Sequence, residues 1–244
     1  MKEELVYTQK ITLGYQHFDF SGHWKLADMF KQLSDLATIH AQKLGVYRPD
    51  MAQNYGWVVS KIRLRILKPL KNEDTLSMVT WASEGSRVIF PRYYQIKDSL
   101  GNLCAEGVGL WTLLDLQKRR IAMPSRAGII FPENLPEPLE IKVSTDFSDE
   151  QGYTFIENRQ VRYSDVDTNQ HLNNARYIEW VCDILDSERF KQHYIADLSV
   201  YFKKETAPNE VLSLEMKEDG DWFYVRGLKD GELHFAVEGQ WQKY

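Results

Sequence analysis

Hydrophobic and polar positions along this chain follow two periods, and the two come in the same order twice. Leu26, Met29, Phe30, Leu33, Leu36 and Ala37 share one face at the 3.6-residue period, which predicts a long amphipathic helix. Residues 61–66 (K-I-R-L-R-I) then alternate strictly, with Ile62, Leu64 and Ile66 on one side, the period of a half-buried strand. Residues 75–81, 88–96 and 103–114 read as further strands, punctuated by E-G-S and S-L-G-N turns. The order then recurs. Tyr177, Val181, Ile184 and Leu185 make a second helical face, with Asn173 or Asn174 placed to cap its start. Strands at 197–203, 211–217, 222–228 and 232–241 follow, broken by E-D-G-D and K-D-G-E. Each half thus reads strand, long helix, then about four strands.

The echo extends to residue identity. Tyr15, Asp19, His23 and Ala27 match Tyr163, Asp167, His171 and Ala175, each pair 148 positions apart. In the strand region N-E-D-T-L-S (72–77) matches P-N-E-V-L-S (208–213) at a spacing of 136. Between the halves, Pro124, Pro132, Pro136 and Pro138 are four of the chain's eight prolines, a composition foreign to a sheet interior. The expected organisation is therefore 1–125, a linker at 126–150, and 151–244. One helix cannot cover a four- or five-stranded sheet alone, but two such units side by side can share a continuous sheet. The expected fold class is α+β: two tandem hotdog domains, each a long helix wrapped by antiparallel sheet, forming a double hotdog. A single α+β domain without a repeat is the alternative.

Composition narrows the function classes. At 43% hydrophobic and 27% charged residues the balance is that of an ordinary globular chain, which argues against wholesale disorder. A net charge of −5 argues against bulk nucleic-acid binding. Cys104 and Cys182 make neither a disulfide framework nor a metal spacing, so a reduced, cytoplasmic setting is expected. The start, M-K-E-E-L-V-Y, has no apolar core of a signal peptide and no Arg/Ser-rich transit character. No apolar run approaches the ~18 residues of a membrane span. Seven Trp, thirteen Tyr and eleven Phe suit a strand-rich core and also an apolar ligand pocket.

Candidate chemistry concentrates in residues 163–174, Y-S-D-V-D-T-N-Q-H-L-N-N. If this run is extended, Asp167, Asn169 and His171 point to one side. A carboxylate, an amide and an imidazole so placed can hold a carbonyl, position a water and move a proton. Taken singly, Asp167 reads as a turn residue and His171 as a structural histidine; the joint pattern favours a site. At the first spacing, Asn169 falls opposite Ser21. The first half keeps Asp19 and His23 without the amide. Chemistry is expected in the second half, with Asp19 and His23 structural.

The run V-R-Y-S-D-V-D-T-N-Q-H-L-N-N-A-R-Y-I-E-W resembles the signature of the acyl-acyl-carrier-protein thioesterases. W-V-V-S-K-I-R-L-R-I at 57–66, and the stretch from Thr80-Trp81 to Arg119-Arg120, resemble that family's N-terminal repeat. The resemblance implies a double hotdog that hydrolyses fatty acyl thioesters without a metal or organic cofactor. It implies a catalytic set of Asp167, Asn169, His171 and Glu205. Plant members often carry Cys directly after that Glu; here Thr206 stands there, which disfavours a cysteine nucleophile. Plant members also carry a transit peptide, so a bacterial cytoplasmic enzyme is expected. By the same resemblance the first half houses the acyl chain, and the four polar groups should meet the mouth of an apolar tunnel.

The implied partner is an acidic acyl carrier protein, so a basic docking patch is expected. Candidates are Lys61, Arg63 and Arg65 on one strand face, then Lys68, Lys71, Arg119, Arg120 and Arg126, with Lys203 and Lys204 beside the site. No nucleic-acid partner is expected, and a homodimer stays open. Three other readings compete: an acyl-coenzyme A thioesterase, a non-enzymatic acyl-binding protein, and a hotdog hydratase or dehydratase.

Overall fold

A computed structural model describes residues 5–71, 75–143 and 151–244. Residues 72–74 of the 72–77 match and 144–150 of the expected linker lie outside it. The first half runs β1 (Val6–Ile11), α1 (Leu26–Lys43), β2 (Tyr55–Ile66), β3 (Leu76–Ala82), β4 (Phe90–Lys97), β5 (Leu103–Asp115) and a short β6 (Arg120–Ala122). The second runs β7 (Thr154–Gln160), α2 (Asn174–Ile184), β8 (His193–Phe202), β9 (Val211–Asp219), β10 (Trp222–Lys229) and β11 (Glu232–Lys243). The strands form one sheet in the order β1-β3-β4-β5-β2-β8-β11-β10-β9-β7, with β6 attached to β5, every pairing antiparallel. The second half repeats the strand order of the first from the opposite edge. This is the expected double hotdog.

The seam shows how closely the halves correspond. β2 and β8 pair with Arg63 opposite Ser199, Lys61 opposite Tyr201 and Arg65 opposite Asp197. Arg63 and Ser199 are 136 apart, so the pseudo-twofold passes between equivalent residues. Across the seam Arg63 grips Asp197 with both arms of its fork, Nε to Oδ1 at 2.9 Å and Nη2 to Oδ2 at 2.6 Å, the planar match arginine makes best. The helices meet over the same axis, and Lys31 pairs with Glu179 at 2.7 Å, again 148 positions apart.

α1 buries the face its period predicts, with Met29, Leu33 and Leu36 at most 2% exposed. α2 buries Tyr177 and Val181 of its expected face, but also Ile178 and Trp180 outside it, while Ile184 is half-buried and Leu185 lies just past the helix. They join the inward residues Leu64, Leu76, Ile96, Val200, Leu214 and Phe235 in one continuous core. In the β10–β11 hairpin Phe235 pairs with Gly227 and Phe223 with Gly239. A Cβ on either glycine would sit 2.1 Å from the opposing ring, so the rings fit only over a bare backbone. The proline-rich stretch covers the outer face of the first-half sheet. There Ile141 packs with Trp81, Tyr93 and Val108, and the carbonyl of Glu137 accepts from Trp81 Nε1 at 3.0 Å.

Candidate functional site

The segment carrying Asp167, Asn169 and His171 is a tight turn, not the extended run its alternation suggested. Val166 and Leu172 form an antiparallel bridge, Asp167 N–H donates to the His171 carbonyl at 3.0 Å, and Gln170 N–H donates to the Asp167 carbonyl at 3.0 Å. Asp167 Oδ1 accepts from Asn169 N–H at 2.8 Å, so this carboxylate braces the turn backbone, as short Asx motifs do. Gln170 closes it in the left-handed region at φ 62°, a conformation that costs a non-glycine residue about 1 kcal/mol or more. The first half builds the same turn. Asp19 N–H donates to the His23 carbonyl at 2.8 Å, Asp19 Oδ1 accepts from Ser21 N–H at 2.8 Å, and Gly22 takes the left-handed place at φ 76°.

Glu205 reaches the turn from the loop after β8, three residues past Phe202. Leu172 N–H donates to the Thr206 carbonyl at 2.8 Å, and this one bond sets the neighbours of both residues, His171 and Glu205, side by side. His171 Nε2 then lies 3.4 Å from Glu205 Oε2, with the two side chains 32% and 38% exposed. Asn169 stands exposed at the tip of the turn. The start of α2 has little to offer an oxyanion. Asn173 caps it, taking Ala175 N–H on its side chain at 2.9 Å and Arg176 N–H on its carbonyl at 2.8 Å.

Behind Glu205 lies a polar relay the sequence did not suggest. Tyr177 hydroxyl donates to Thr206 Oγ1 at 2.9 Å, and Thr206 Oγ1 lies 2.9 Å from His234 Nδ1. All three are buried, Thr206 completely. With Tyr177 donating, the Thr206 proton goes to a neutral His234. Burial also lowers the His234 pKa, with the Glu210 charge opposing. Burial pushes the Tyr177 hydroxyl up to about 12; the Thr206 bond opposes this, and the nearby charges of Glu205, Glu210 and Asp167 add to it. Thr206 is therefore a locked structural hydroxyl and not a nucleophile. Cys182 is packed against the core, its thiol pushed up to about 12 by burial, and Cys104 is fully buried. Neither thiol is poised to react.

The equivalent place in the first half is closed. His23 Nδ1 lies 2.9 Å from the Tyr244 hydroxyl, and the rings stack at 4.5 Å. Among the described residues no cluster of three or more His, Cys, Asp or Glu could hold a metal. Five of the ten expected docking cations are ion-paired: Arg63 with Asp197, Arg65 with Glu106, Lys68 with Asp98, Lys204 with Glu232, and Arg119 with Glu205. Lys61 and Lys71 lie 4.9 Å over the rings of Tyr201 and Tyr244. Two cavities, of about 260 and 310 Å³, lie elsewhere. The first is between β1, β3 and α1, lined in part by Ile11, Ile39 and Met78, and neither is lined by the candidate groups. Neither of these two cavities is the expected tunnel, and behind the site Tyr177 packs on Phe202 and Phe235.

Comparison with known families decides the affiliation. Residues 4–125 match the acyl-ACP thioesterase N-terminal domain, and residues 148–243 match the acyl-ACP thioesterase C-terminal domain. The chain belongs to the acyl-ACP thioesterase family. It is 24% identical over 199 residues to a chloroplastic acyl-acyl-carrier-protein hydrolase of Cuphea viscosissima, covering 75% of this chain and 48% of that one. To the chloroplastic oleoyl-acyl carrier protein thioesterase 1 of Arabidopsis thaliana it is 23% identical, covering 74% and 55%. The chain thus spans about half the length of the curated relatives it matches. Among solved structures, an acyl-ACP thioesterase from Bacteroides thetaiotaomicron superposes with a TM-score of 0.82 at 24% identity, over 99% of this chain and all of that one. A 12:0-ACP thioesterase from Umbellularia californica gives 0.86 at 18% identity, over 98% of both. These likenesses carry the double-hotdog fold of the acyl-ACP thioesterase family along the whole chain. Among the described residues no helix is long and apolar enough to cross a membrane.

Proposed function

We propose that this protein hydrolyses the thioester of acyl-acyl carrier protein and releases a free fatty acid. The observation that carries the reading is the meeting of Glu205 Oε2 with His171 Nε2 at 3.4 Å, on a partly exposed rim, in a chain of this family. A thioester needs an aimed water, a base and donors for the developing oxyanion. In this reading Glu205 takes a proton from water as its oxygen attacks the carbonyl carbon. The Asn169 amide donates to the oxyanion, a contribution whose loss typically costs ~10²–10³ in rate. His171 orients Glu205 and passes the proton to the departing thiolate as the C–S bond breaks. Asp167 supports them by bracing the turn. The protein's own side chains supply every group these steps use.

The acyl chain is assigned to residues 1–125, where the cavity beside Ile39 and Met78 is a starting space. It is smaller than most ligand pockets, ~300–1,000 Å³, so a long chain requires the surrounding side chains to part. The inferred partner is an acidic carrier protein met in the cytoplasm. Arg120 and Arg126 remain exposed beside the apolar surface of Ile121, Met123 and Ile130, a mixed face suited to such a partner. Residues 126–150 link the two units. The test is incubation with a panel of acyl-carrier substrates, following released acid and free carrier thiol. Release of both at equal rates supports the reading. Turnover of acyl-coenzyme A alone, or binding without release, refutes it.

A further inference from the structure

We propose that Arg119, from the first half of the chain, is a positioning residue for Glu205, so that the site is assembled from both halves. The inference rests on the role given to Glu205 above. Arg119 Nη2 donates to Glu205 Oε2 at 2.8 Å, and this is the same oxygen that faces His171 Nε2 at 3.4 Å. Both described contacts fall on Oε2. The Arg119 hydrogen bond, with the His171 ring close to the same oxygen, restrains the rotation of a carboxylate carried on the loop after β8.

The turn that carries Arg119 is built to deliver it. Between β5 and β6, Leu116 N–H donates to the Asn54 carbonyl at 2.8 Å and Gln117 Nε2 to the Gln53 carbonyl at 3.2 Å. Asp115 Oδ1 takes Lys118 N–H at 2.9 Å, and the bonds Asp115 receives hold its carboxyl below the usual range. Arg119 itself sits in the left-handed region at φ 47°, the place where such hairpin loops favour glycine. An arginine there spends strain to present a guanidinium. The pseudosymmetry gives the arrangement a counterpart. The end of β11 in the second half sends Tyr244 onto His23 of the first, as the end of β5 sends Arg119 onto the His171–Glu205 pair. Each half's fifth strand finishes on the other half's turn, closing one site and completing the other.

The competing role for Arg119 is docking of the acidic carrier. The two separate on a substrate without carrier or phosphate, a saturated acyl N-acetylcysteamine thioester. Arg119→Gly relieves the left-handed strain, so the variant should melt no lower than the parent. It should lose about 10–100-fold in kcat on both substrates, the scale of a misplaced catalytic group. Arg119→Lys, with charge but no fork, should recover part of the loss. In a Glu205→Gln background Arg119→Gly should remove nothing more, because it acts through that carboxylate. Loss confined to the carrier substrate and abolished by salt, or full additivity with Glu205→Gln, overturns the inference. Parental turnover in Glu205→Gln overturns the reading of Glu205 and the inference with it.

Discussion

Thr206→Val removes one oxygen at a completely buried position and breaks two hydrogen bonds at once. Tyr177 loses its acceptor and His234 Nδ1 its donor, each now at 2.9 Å. Neither can turn to water, since both are buried. A net hydrogen bond is worth ~1 kcal/mol, and stranding a buried polar group costs ~1–3 kcal/mol. Valine's better fit to an apolar site offsets part of this, leaving a loss of about 3 kcal/mol. For a chain of this size 1 kcal/mol moves the melting temperature by ~2–4 °C, so Tm should fall by roughly 6–12 °C. Thr206→Ser keeps the hydroxyl and gives up a methyl, which costs ~1 kcal/mol, so it should melt between the two. Thermal unfolding at pH 7.5, followed by circular dichroism, gives the numbers. A valine variant within 2 °C of the parent, or a serine variant as unstable as valine, would refute the relay as a stabilising network.

The seam makes an asymmetric prediction. Arg63→Met leaves Asp197 beside Glu238, whose pKa burial and Asp197 already raise, so it should cost about 2–3 kcal/mol. Asp197→Asn should cost less, and equal losses in denaturant titration would contradict this. His23 and His234 are both held below 6.5 by burial; Lys71 lowers His23 further against Asp19, and Glu210 and Glu232 oppose Lys229 and Lys204 at His234. The unfolded chain therefore binds more protons just below that pH, and stability should be complete above ~6.5 and fall on acidification, by up to ~1.4 kcal/mol per pH unit per histidine. A flat Tm between pH 7.5 and 5.5 would contradict it. Ile39→Trp fills part of the first-half cavity and should shift released acids toward shorter chains; an unchanged product profile would move the acyl pocket elsewhere.

What was legible in the sequence followed local period. The alternation of 61–66 marked a strand, and the face of α1 is legible because it buries one stripe; α2, buried more widely through Ile178 and Trp180, is legible only in Tyr177 and Val181. The strand begins earlier, at Tyr55, where W-V-V is continuous apolar and carries no alternation. β6 is three residues long and too short for any pattern. The shared side of Asp167, Asn169 and His171 held only for an extended run, and alternation cannot register the left-handed residue that makes this segment a turn. The clue was Gly22, which marks the same position in the first half. Glu205 came from the resemblance alone. The Arg119 contact was invisible, since its partner is 86 residues away and nothing local distinguishes it from a docking cation. The relay is equally nonlocal: Thr206, Tyr177 and His234 come from three elements, and only the departure from Cys drew attention to one of them.

The central claim is that the Glu205 carboxylate and the His171 imidazole act together on a water beside a bound thioester. The most direct measurement is single-turnover release of fatty acid from acyl-acyl carrier protein by the parent, Glu205→Gln, His171→Ala and the double variant, each verified as folded by its melting curve. The account predicts a fall of at least ~10² for each single variant and little further loss in the double, as expected of groups that work as a unit. Near-parental release by either folded single variant would contradict it.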